Sequence, residues 1–537
     1  MNSADDHRRS NPVAPAPRAA ARGGLRDTLL VALAAIALAT PSIWFVATIP
    51  PLWRDIDAYI QTTGRPDPTT VLLHGPLYSA LARWPLYLGY VLENRGSSDL
   101  RGLGDFLLRP SLSDSGVFAL LLLQHAALLA AHLYFVTAVT RLSWLRLVLA
   151  LALAANPLLY AFAHCVGSET LNAIGFVVLT AFALRLVRRE GNPTARQWIV
   201  WAVLLVLLML TRQINAVLVV MLPLALVPLI WRRSGPNPSA RAGLQRVAMA
   251  ALIGLTCFAI SLGCVRLIAL AADTTYRSKI GFTFVWRLMF LQTISPAERA
   301  GIIEAAAAAA RSPETKALTL ALGEAFAKPE PLDVPEFIRG QRVALFPPGS
   351  EEVTERTDHA LNGVPLAFAI GSPGALTTAA VKDFVIARRA TVPQLTEFLF
   401  WSTAYHFGRE EAMPEFGKLV TYRGSSAEAI IATGRRQSYL RWWTGVTYDW
   451  WFAAWAVALA ALFVVARVRR VDVTSTCAYA TALVLTGLLM VLLNCFLSEL
   501  LPRYTLPMLQ LTFLSLLILL SRIAEVSTAA RQTSPPS

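Results

Sequence analysis

Two carboxylates one residue apart, Asp55 and Asp57, directly follow the first apolar segment of the chain. Acidic side chains are costly to hold near hydrocarbon unless a ligand, a cation or a proton needs them. At this spacing the two acids can bind a divalent cation, or one can act as a general base while the other orients it. The alternative interpretation is a solvated loop pair beside Arg54.

Seven further polar side chains stand at the ends of apolar segments, on the same predicted outer side of the membrane as the two acids. An arginine between two short apolar helices, such as Arg212, favours a carboxylate or phosphate partner in a functional or structural ion pair. Simpler roles are open for others: helix capping for Glu169, and a snorkelling arginine with a membrane-belt tyrosine for Arg503 and Tyr504. The seven are His74, His164, Glu169, Arg212, Glu499, Arg503 and Tyr504.

The motifs of soluble enzymes are missing from the sequence. It contains no phosphate-binding loop ending in GK[ST], no GxSxG, no HExxH and no cysteine cluster. The five cysteines lie in or beside apolar segments without the spacing of metal ligands, so we interpret them as small packing residues.

The elements that position these residues are membrane helices. Hydrophobic residues make up 55% of the 537, and charged residues only 15%, well below the quarter or so that is typical of soluble domains. A spanning helix needs about 20 mostly apolar residues. We therefore predict an all-α polytopic membrane protein with about ten transmembrane helices, at 27–48, 116–140, 144–165, 169–187, 197–211, 214–231, 246–272, 447–466, 474–497 and 504–521.

The net charge of +14 sets the orientation of these helices. Arginines fill every second loop, whereas the short loops on the other side contain almost no cations besides Arg212 and Arg503. Because positive loops stay in the cytoplasm, both termini are expected there, and residues 49–115 and 273–446 are expected outside. Basic runs with interleaved aromatics on a soluble face are missing, which argues against a nucleic-acid partner. The excess of arginine over lysine suggests a bacterial source and hence the inner membrane.

Both long outer segments contain helix signals. In 49–115, the amphipathic stretch from Val71 to Leu92 predicts an interfacial helix. In 273–446, Ser-Pro pairs at Ser295, Ser312 and Ser372 predict helix starts with proline in the first turn, and thus a small, mainly helical subdomain. Within the third predicted span, Asn156-Pro157 predicts a kink. Residues 1–26 and 524–537 are expected to be cytoplasmic tails, the first of them disordered.

The order of the polar motifs along the chain resembles that of the GT-C superfamily of integral membrane glycosyltransferases. It is closest in style to protein O-mannosyltransferases and bacterial aminoarabinose transferases. An acidic motif, Asp55-Ile56-Asp57-Ala58-Tyr59, follows the first span, and His74-Gly75-Pro76-Leu77-Tyr78 comes next. Asn156-Pro157 with Ser168-Glu169, then Leu210-Thr211-Arg212, and finally Arg503-Tyr504-Thr505-Leu506-Pro507 complete the series. Many bacterial members have Asp-Glu where this chain has Asp55-Ile56-Asp57.

The resemblance covers residues 27–272 well, as a GT-C-like module whose first outer loop, 49–115, would be catalytic. It covers the C-terminal helices at 447–523 less closely, and the subdomain at 273–446 not at all. It implies transfer of a sugar from a polyprenyl-phosphate donor to a hydroxyl of a lipid, glycan or protein acceptor on the extracytoplasmic face, with inversion.

In this scheme the catalytic base is Asp55 or Asp57, and a divalent cation, Mg²⁺ or Mn²⁺, is the one cofactor that the two acids would bind. The donor phosphate would contact Arg212, Arg503, His74 and Tyr504. Supporting roles would fall to Glu169, His164, Glu499, Tyr59 and Tyr78. The departure from Asp-Glu leaves open which of the two acids is the base.

Three other functions fit a membrane protein with outer polar residues. A transporter or flippase of lipid-linked sugars would show inverted repeats and midplane broken helices, and no such duplication is visible in the sequence. A scaffold that binds a partner would not need these acids and arginines. A glycan polymerase or ligase would differ mainly in its donor.

Overall fold

The computed structural model describes residues 21–53, 75–96, 100–108, 111–188, 194–221, 240–271, 280–345, 352–407, 426–436, 443 and 445–533. These residues are almost entirely helical, as predicted for an all-α membrane protein. The first half contains α1 (Ala21–Thr48), α2 (Pro76–Glu93), α3 (Leu103–Leu108), α4 (Asp114–Val139), α5 (Ser143–Ala155), α6 (Pro157–Ala163), α7 (Ser168–Arg188), α8 (Ala195–Thr211) and α9 (Ala240–Ala271).

The second half begins with shorter helices and ends with three long ones. They are α10 (Ile280–Arg287), α11 (Pro296–Ala309), α12 (Pro313–Phe326), α13 (Val334–Leu345), α14 (Glu352–Gly371), α15 (Pro373–Ala387), α16 (Val392–Phe407), α17 (Ala427–Arg436), α18 (Tyr448–Arg469), α19 (Thr474–Leu497) and α20 (Leu506–Thr533).

Seven of the described helices are long and apolar enough to cross a membrane, and two bent pairs raise the number to as many as nine. The structure therefore supports the prediction of several membrane-spanning helices, but it does not support the predicted number of about ten. The predicted span 197–211 is the shorter helix α8, and most of 214–231 lies outside the described residues.

The first bent pair confirms the predicted kink. Helices α5 and α6 meet at 64° at Asn156, whose side-chain oxygen accepts a hydrogen bond from the Leu158 N–H at 3.1 Å. The second pair was not predicted: α14 and α15, within residues 273–446, meet at 99°. Proline at the start of α6 and of α15 removes the N–H that would continue the preceding helix.

The long helices form one bundle around a continuous apolar core. Helix α1 packs on α5, α4 lies between α2 and α7, and α20 packs against both α18 and α19. Helices α2 and α4 cross so closely that a Cβ on Gly89 would overlap the backbone of Gly116. The most buried of the spans is α20, which is surrounded by other helices on nearly all sides.

A second apolar core belongs to the segment from 284 to 376. Its helices start where the Ser-Pro pairs predict: the Ser295 hydroxyl accepts from the Glu298 N–H at 3.3 Å, and Ser312 accepts from Thr315 at 3.1 Å. The third proline start, at Pro373, follows Ser372, whose hydroxyl donates to the Ile302 carbonyl instead of capping its own helix.

One short parallel sheet joins distant parts of the chain near one end of the bundle. Strand β1 (Leu52–Trp53) pairs with β2 (Cys165–Val166), with Trp53 opposite Val166. The Trp53 N–H also donates to the Thr403 hydroxyl at 2.9 Å. The sheet thereby fixes the chain at the point where the acidic motif begins.

Candidate functional site

Two arginines from separate elements converge on one buried carboxylate. Glu169 Oε1 lies 2.7 Å from Arg212 Nη1 and 3.0 Å from Arg503 Nη1. The Glu169 side chain is only 2% exposed, that of Arg503 6% and that of Arg212 16%. We call Glu169, Arg212, Arg503 and the adjoining Tyr504 the Glu169 cluster.

Each member of the cluster stands where a helix begins or ends. Glu169 lies in the first turn of α7, where an acid complements the partial positive charge of the helix N-terminus. Arg212 is the extended residue between α8 and the 3₁₀ helix Gln213–Val217. Arg503 lies in the 3₁₀ turn Pro502–Thr505 that precedes α20. The side chains thus meet at one end of the bundle although up to 334 residues separate them.

A buried amide pair fixes the turn that carries Arg212. The Asn215 side-chain amide donates to Asn172 Oδ1 and to the Leu208 carbonyl, both at 2.7 Å. Asn172 lies one turn along α7 from Glu169, so these bonds tie the end of α8 to the helix that holds the carboxylate. The position of the Arg212 guanidinium therefore depends on the packing of α7 and α8, and not on loop geometry alone.

Tyr504 contacts both guanidinium groups. Its ring centroid lies 5.1 Å from the Arg503 Cζ and 5.9 Å from the Arg212 Cζ, distances at which a cation and a ring attract. Arg503 Nη2 also donates to the Tyr504 hydroxyl at 3.4 Å. The three predicted phosphate-binding residues that the structure describes, Arg212, Arg503 and Tyr504, are therefore neighbours.

Four predicted site residues, Asp55, Asp57, Tyr59 and His74, lie outside the described residues. The residues on either side of their segment are described. Trp53 pairs with Val166, three residues before Glu169. Gly75, with a φ of +92°, lies so close to α8 that a Cβ there would overlap the carbonyl oxygen of Thr211, next to Arg212. One end of the segment thus lies beside the strand that leads to Glu169, and the other lies beside the residue before Arg212.

Tyr78 shapes the turn in front of Glu169. Its hydroxyl accepts a hydrogen bond from the Gly167 N–H and donates to Gln124 Oε1, both at 2.9 Å. The Gln124 amide in turn donates to the carbonyls of Ala163 and Cys165, at 2.9 and 3.2 Å. Tyr78 thus holds the backbone that leads into α7, a contact compatible with the supporting role expected for it.

His164 is buried in a chain of hydrogen bonds that links α1, α4 and the end of α6. Its Nε2 lies 2.9 Å from the Ile49 carbonyl and is therefore the donor; with a neutral ring, its Nδ1 accepts from His125 Nε2 at 3.2 Å. His125 Nδ1 is then the acceptor for the Ser42 hydroxyl at 3.0 Å. This alternation of donors and acceptors is that of two neutral imidazole rings. His164 thus supports the fold beside the cluster.

Glu499 is not part of the cluster. It lies four residues before Arg503, and its side chain is exposed. Partial desolvation, followed by the charge of Asp383, raises its pKa. It faces α15, where Asp383 pairs with the buried Arg287.

Several residues that position the site were not predicted from the sequence. Gln124 and His125 interrupt an apolar span with two consecutive polar side chains, and Asn172 and Asn215 do so singly. A polar residue inside a membrane helix is rare enough to have identified them. Their partners are not visible in the sequence, because contacts such as Asn215–Asn172 join residues 43 positions apart.

No group of three or more His, Cys, Asp or Glu side chains suited to a metal ion occurs in the described part of the chain. A cation site at Asp55 and Asp57 would have to be built within the segment that lies outside it. The Glu169 cluster itself presents two cations and one carboxylate, a donor set suited to an anion.

Comparison of the chain with protein-family models, with curated proteins and with solved structures finds no match.

Proposed function

We propose that this chain is an integral membrane glycosyltransferase of the GT-C type, which moves a sugar from a polyprenyl-phosphate donor to an acceptor hydroxyl. The observation that supports it best is the convergence of Arg212 and Arg503 on Glu169 at one end of a transmembrane bundle. The resemblance in motif order adds to this, because all three residues belong to the motifs that carry it.

The charge balance of the cluster suits a phosphate. Among the described residues, the cluster combines two guanidinium groups with one carboxylate, and all three side chains are largely buried. In such an environment a charge is much more effective than in water. When the sugar leaves the lipid, negative charge grows on the phosphate, and both arginines are placed to stabilise it. Glu169 would hold the two guanidinium groups in position before the donor binds.

The two acids of the motif belong to the same site in this proposal. Asp55 follows Trp53 by two residues, a chain distance of at most about 7 Å. Trp53 is fixed beside the β2 strand that leads to Glu169. His74 precedes Gly75, which contacts the backbone next to Arg212. A general base at Asp55 or Asp57 and a helper at His74 are therefore compatible with the described ends of the segment.

The proposed reaction is a single displacement. Asp55 or Asp57 takes the proton of the acceptor hydroxyl, whose oxygen attacks the anomeric carbon of the donor sugar. The bond between that carbon and the phosphate oxygen breaks, and the polyprenyl phosphate leaves with the electron pair. Attack opposite to the leaving group inverts the anomeric configuration. A divalent cation at the two acids would supply additional charge stabilisation when bound.

We place the site on the extracytoplasmic face of a bacterial inner membrane, with both termini in the cytoplasm. The 21-residue helix α7 has Glu169 at one end and Arg188 at the other, about 30 Å apart. At the Arg188 end, Arg522 and Arg188 share the Glu525 carboxylate. Since basic ends stay in the cytoplasm, the Glu169 end faces outwards.

Labelling of single cysteines in intact cells tests this orientation. In a background without the five native cysteines, Arg311→Cys and Arg470→Cys each introduce a thiol at an exposed position, one in the second outer segment and one after α18. A membrane-impermeant maleimide should label the first variant in intact cells and the second only after permeabilisation. The reverse pattern would place the Glu169 cluster on the cytoplasmic side.

The test of the reaction is a transfer assay with the purified full-length protein in lipid nanodiscs and a panel of radiolabelled polyprenyl-phosphate sugars. We expect release of polyprenyl phosphate and a labelled product with inverted configuration. One of the two variants, Asp55→Asn or Asp57→Asn, should lower turnover by about 10²–10⁴-fold, the usual contribution of a general base. If both folded variants keep wild-type turnover, the base assignment is wrong.

The same purified protein in sealed proteoliposomes distinguishes sugar transfer from the rival transport function. A flippase would move the intact lipid-linked sugar between leaflets without releasing polyprenyl phosphate. A polymerase or ligase would release it only when the donor carries an oligosaccharide, so the panel includes mono- and oligosaccharide donors. Translocation without bond cleavage would overturn the proposed transferase.

A further inference from the structure

A cavity of about 460 Å³ opens beside the turn that carries Arg503. It lies between the end of α15, helix α16 and the residues that lead into α20, with Leu500, Pro502 and Thr505 in its wall. Its volume falls in the range of roughly 300–1,000 Å³ that is typical of small-molecule sites. A ligand in this cavity would be adjacent to Arg503 and Tyr504, but none of the predicted site residues that the structure describes lines it.

One side of the cavity is aromatic. Phe398 and Trp401 line it, and Tyr405 continues the same side of α16 at helical spacing. The Trp401 ring stacks on Phe398 with centroids 6.0 Å apart at 28°, and on Tyr405 with centroids 5.7 Å apart at 20°. Trp401 nevertheless remains 51% exposed. The result is a row of three aromatic rings along α16, of which Phe398 and the partly exposed Trp401 line the cavity.

Planar polar side chains line the same cavity. Arg389, Gln394 and Glu397 are all exposed and contribute to its wall. Gln394 is held in place because its side-chain oxygen accepts from the Thr391 N–H at 2.9 Å. The cavity therefore offers apolar aromatic rings together with hydrogen-bond donors and acceptors at one site. A hydrocarbon chain would use only the first of these features.

We infer that this cavity binds a sugar ring, and that the acceptor of the proposed reaction is a carbohydrate. A pyranose or furanose ring presents a face of C–H groups, which packs on an aromatic ring, and an edge of hydroxyls, which bond to guanidinium, amide and carboxylate groups. The role of this sugar as acceptor rests on the proposed transferase function; its binding does not. From the cavity, the next hydroxyl of a glycan would lie beside the Arg503 turn.

The experiment measures binding without any donor, so it is independent of transfer. Full-length protein in nanodiscs is applied to a printed array of microbial glycans, and the best binder is then titrated by calorimetry. We expect binding to at least one glycan class. Trp401→Ala should weaken it at least about tenfold, which corresponds to about 1.4 kcal/mol, and Trp401→Phe should recover part of the affinity. The matched control is Trp84→Ala, which removes a similarly exposed tryptophan (56%) from α2.

Two outcomes would overturn the inference: no binding to any glycan of the array, or equal weakening by Trp401→Ala and Trp84→Ala. In the first case, labelling of α16 by a photoreactive alkyl phosphate would assign the cavity to a lipid chain. Glycan binding that depends on Trp401, in a protein that transfers no sugar, would keep this inference and reject the proposed function.

Discussion

At the scale of the residue, the Glu169 cluster is defined by how little water reaches it. Glu525 provides an internal comparison, because it also lies between two arginines, Arg188 and Arg522. Its side chain is 19% exposed, against 2% for Glu169. Water and salt screen the exposed group, whereas the buried cluster depends on its own partners.

We expect Glu169→Gln to destabilise the protein far more than Glu525→Gln. Removing one partner of a buried ion pair typically costs about 3–5 kcal/mol, because the remaining charge is left buried and unpaired. Solvent-exposed ion pairs contribute about 0–1 kcal/mol, and the Glu525 pairs, with side chains 19–27% exposed, lie between these two cases. Thermal unfolding of the detergent-solubilised variants, followed by tryptophan fluorescence, compares them directly. Equal losses of melting temperature in the two variants would contradict the structural role given to Glu169.

Donor use should depend on the shape of the charged group at position 212 and not only on its charge. We expect Arg212→Ala to lower the use of the lipid-linked donor by about 10²–10³-fold, as for other groups that stabilise developing charge. Arg212→Lys should retain more activity, because it keeps a cation but loses the second donor. The measurement is kcat/KM for the donor. Equal activity of the two variants would argue against a phosphate contact.

At the scale of the element, the site depends on where chain segments touch. Gly75 contacts the last turn of α8, β1 pairs with β2, and the His164 chain joins α1, α4 and α6. None of these contacts involves the reacting groups of the proposal. Together they set the distance between the ends of the acidic segment and the arginines.

Gly75→Ala should impair the site through its Cβ and not through its backbone angle. Both Gly75 and Gly96 have positive φ, at 92° and 86°, so alanine is strained at either position. A Cβ at Gly75 would overlap the Thr211 carbonyl, whereas no described atom lies within 4 Å of one at Gly96. We expect Gly75→Ala to lose donor use and stability beyond the Gly96→Ala control. Matching thermal profiles and activities for the two variants would show that the contact is unimportant.

At the scale of the whole molecule, an ion pair with a buried arginine lies between the two apolar cores. The bundle core includes α16, and the second core covers residues 284 to 376. Arg287, which is buried, pairs with Asp383 on α15, and α15 packs against the transmembrane helix α19. The pair therefore joins the second core to a helix that also contributes Ala380 and Ala387 to the bundle core.

Asp383→Asn should weaken the attachment of the second core, residues 284 to 376, to the bundle. It leaves the buried Arg287 guanidinium without its carboxylate, which typically costs about 3–5 kcal/mol. The control is Glu336→Gln, in an exposed pair with Arg339 that is expected to contribute little. Limited proteolysis in detergent should cleave Asp383→Asn faster between residues 280 and 390. Cleavage at the control's rate would show that apolar packing alone joins the two parts.

The sequence by itself determined the local features of this protein. Runs of apolar residues specify the membrane helices, Asn156-Pro157 specifies the kink, and Ser295-Pro296 and Ser312-Pro313 specify helix starts, because each depends on residues within one or two turns. A carboxylate or phosphate partner for Arg212 followed from the cost of a lone charge at a membrane.

Only the tertiary structure decided which partner that is. Glu169 is 43 residues from Arg212 and 334 from Arg503, and no local pattern specifies such a contact. The same holds for Tyr78, which binds the backbone of Gly167, and for Glu499, which faces Asp383 and not the cluster. Helix periodicity fixes which face of a helix is buried, but the choice of neighbour is made by packing and charge across the whole bundle.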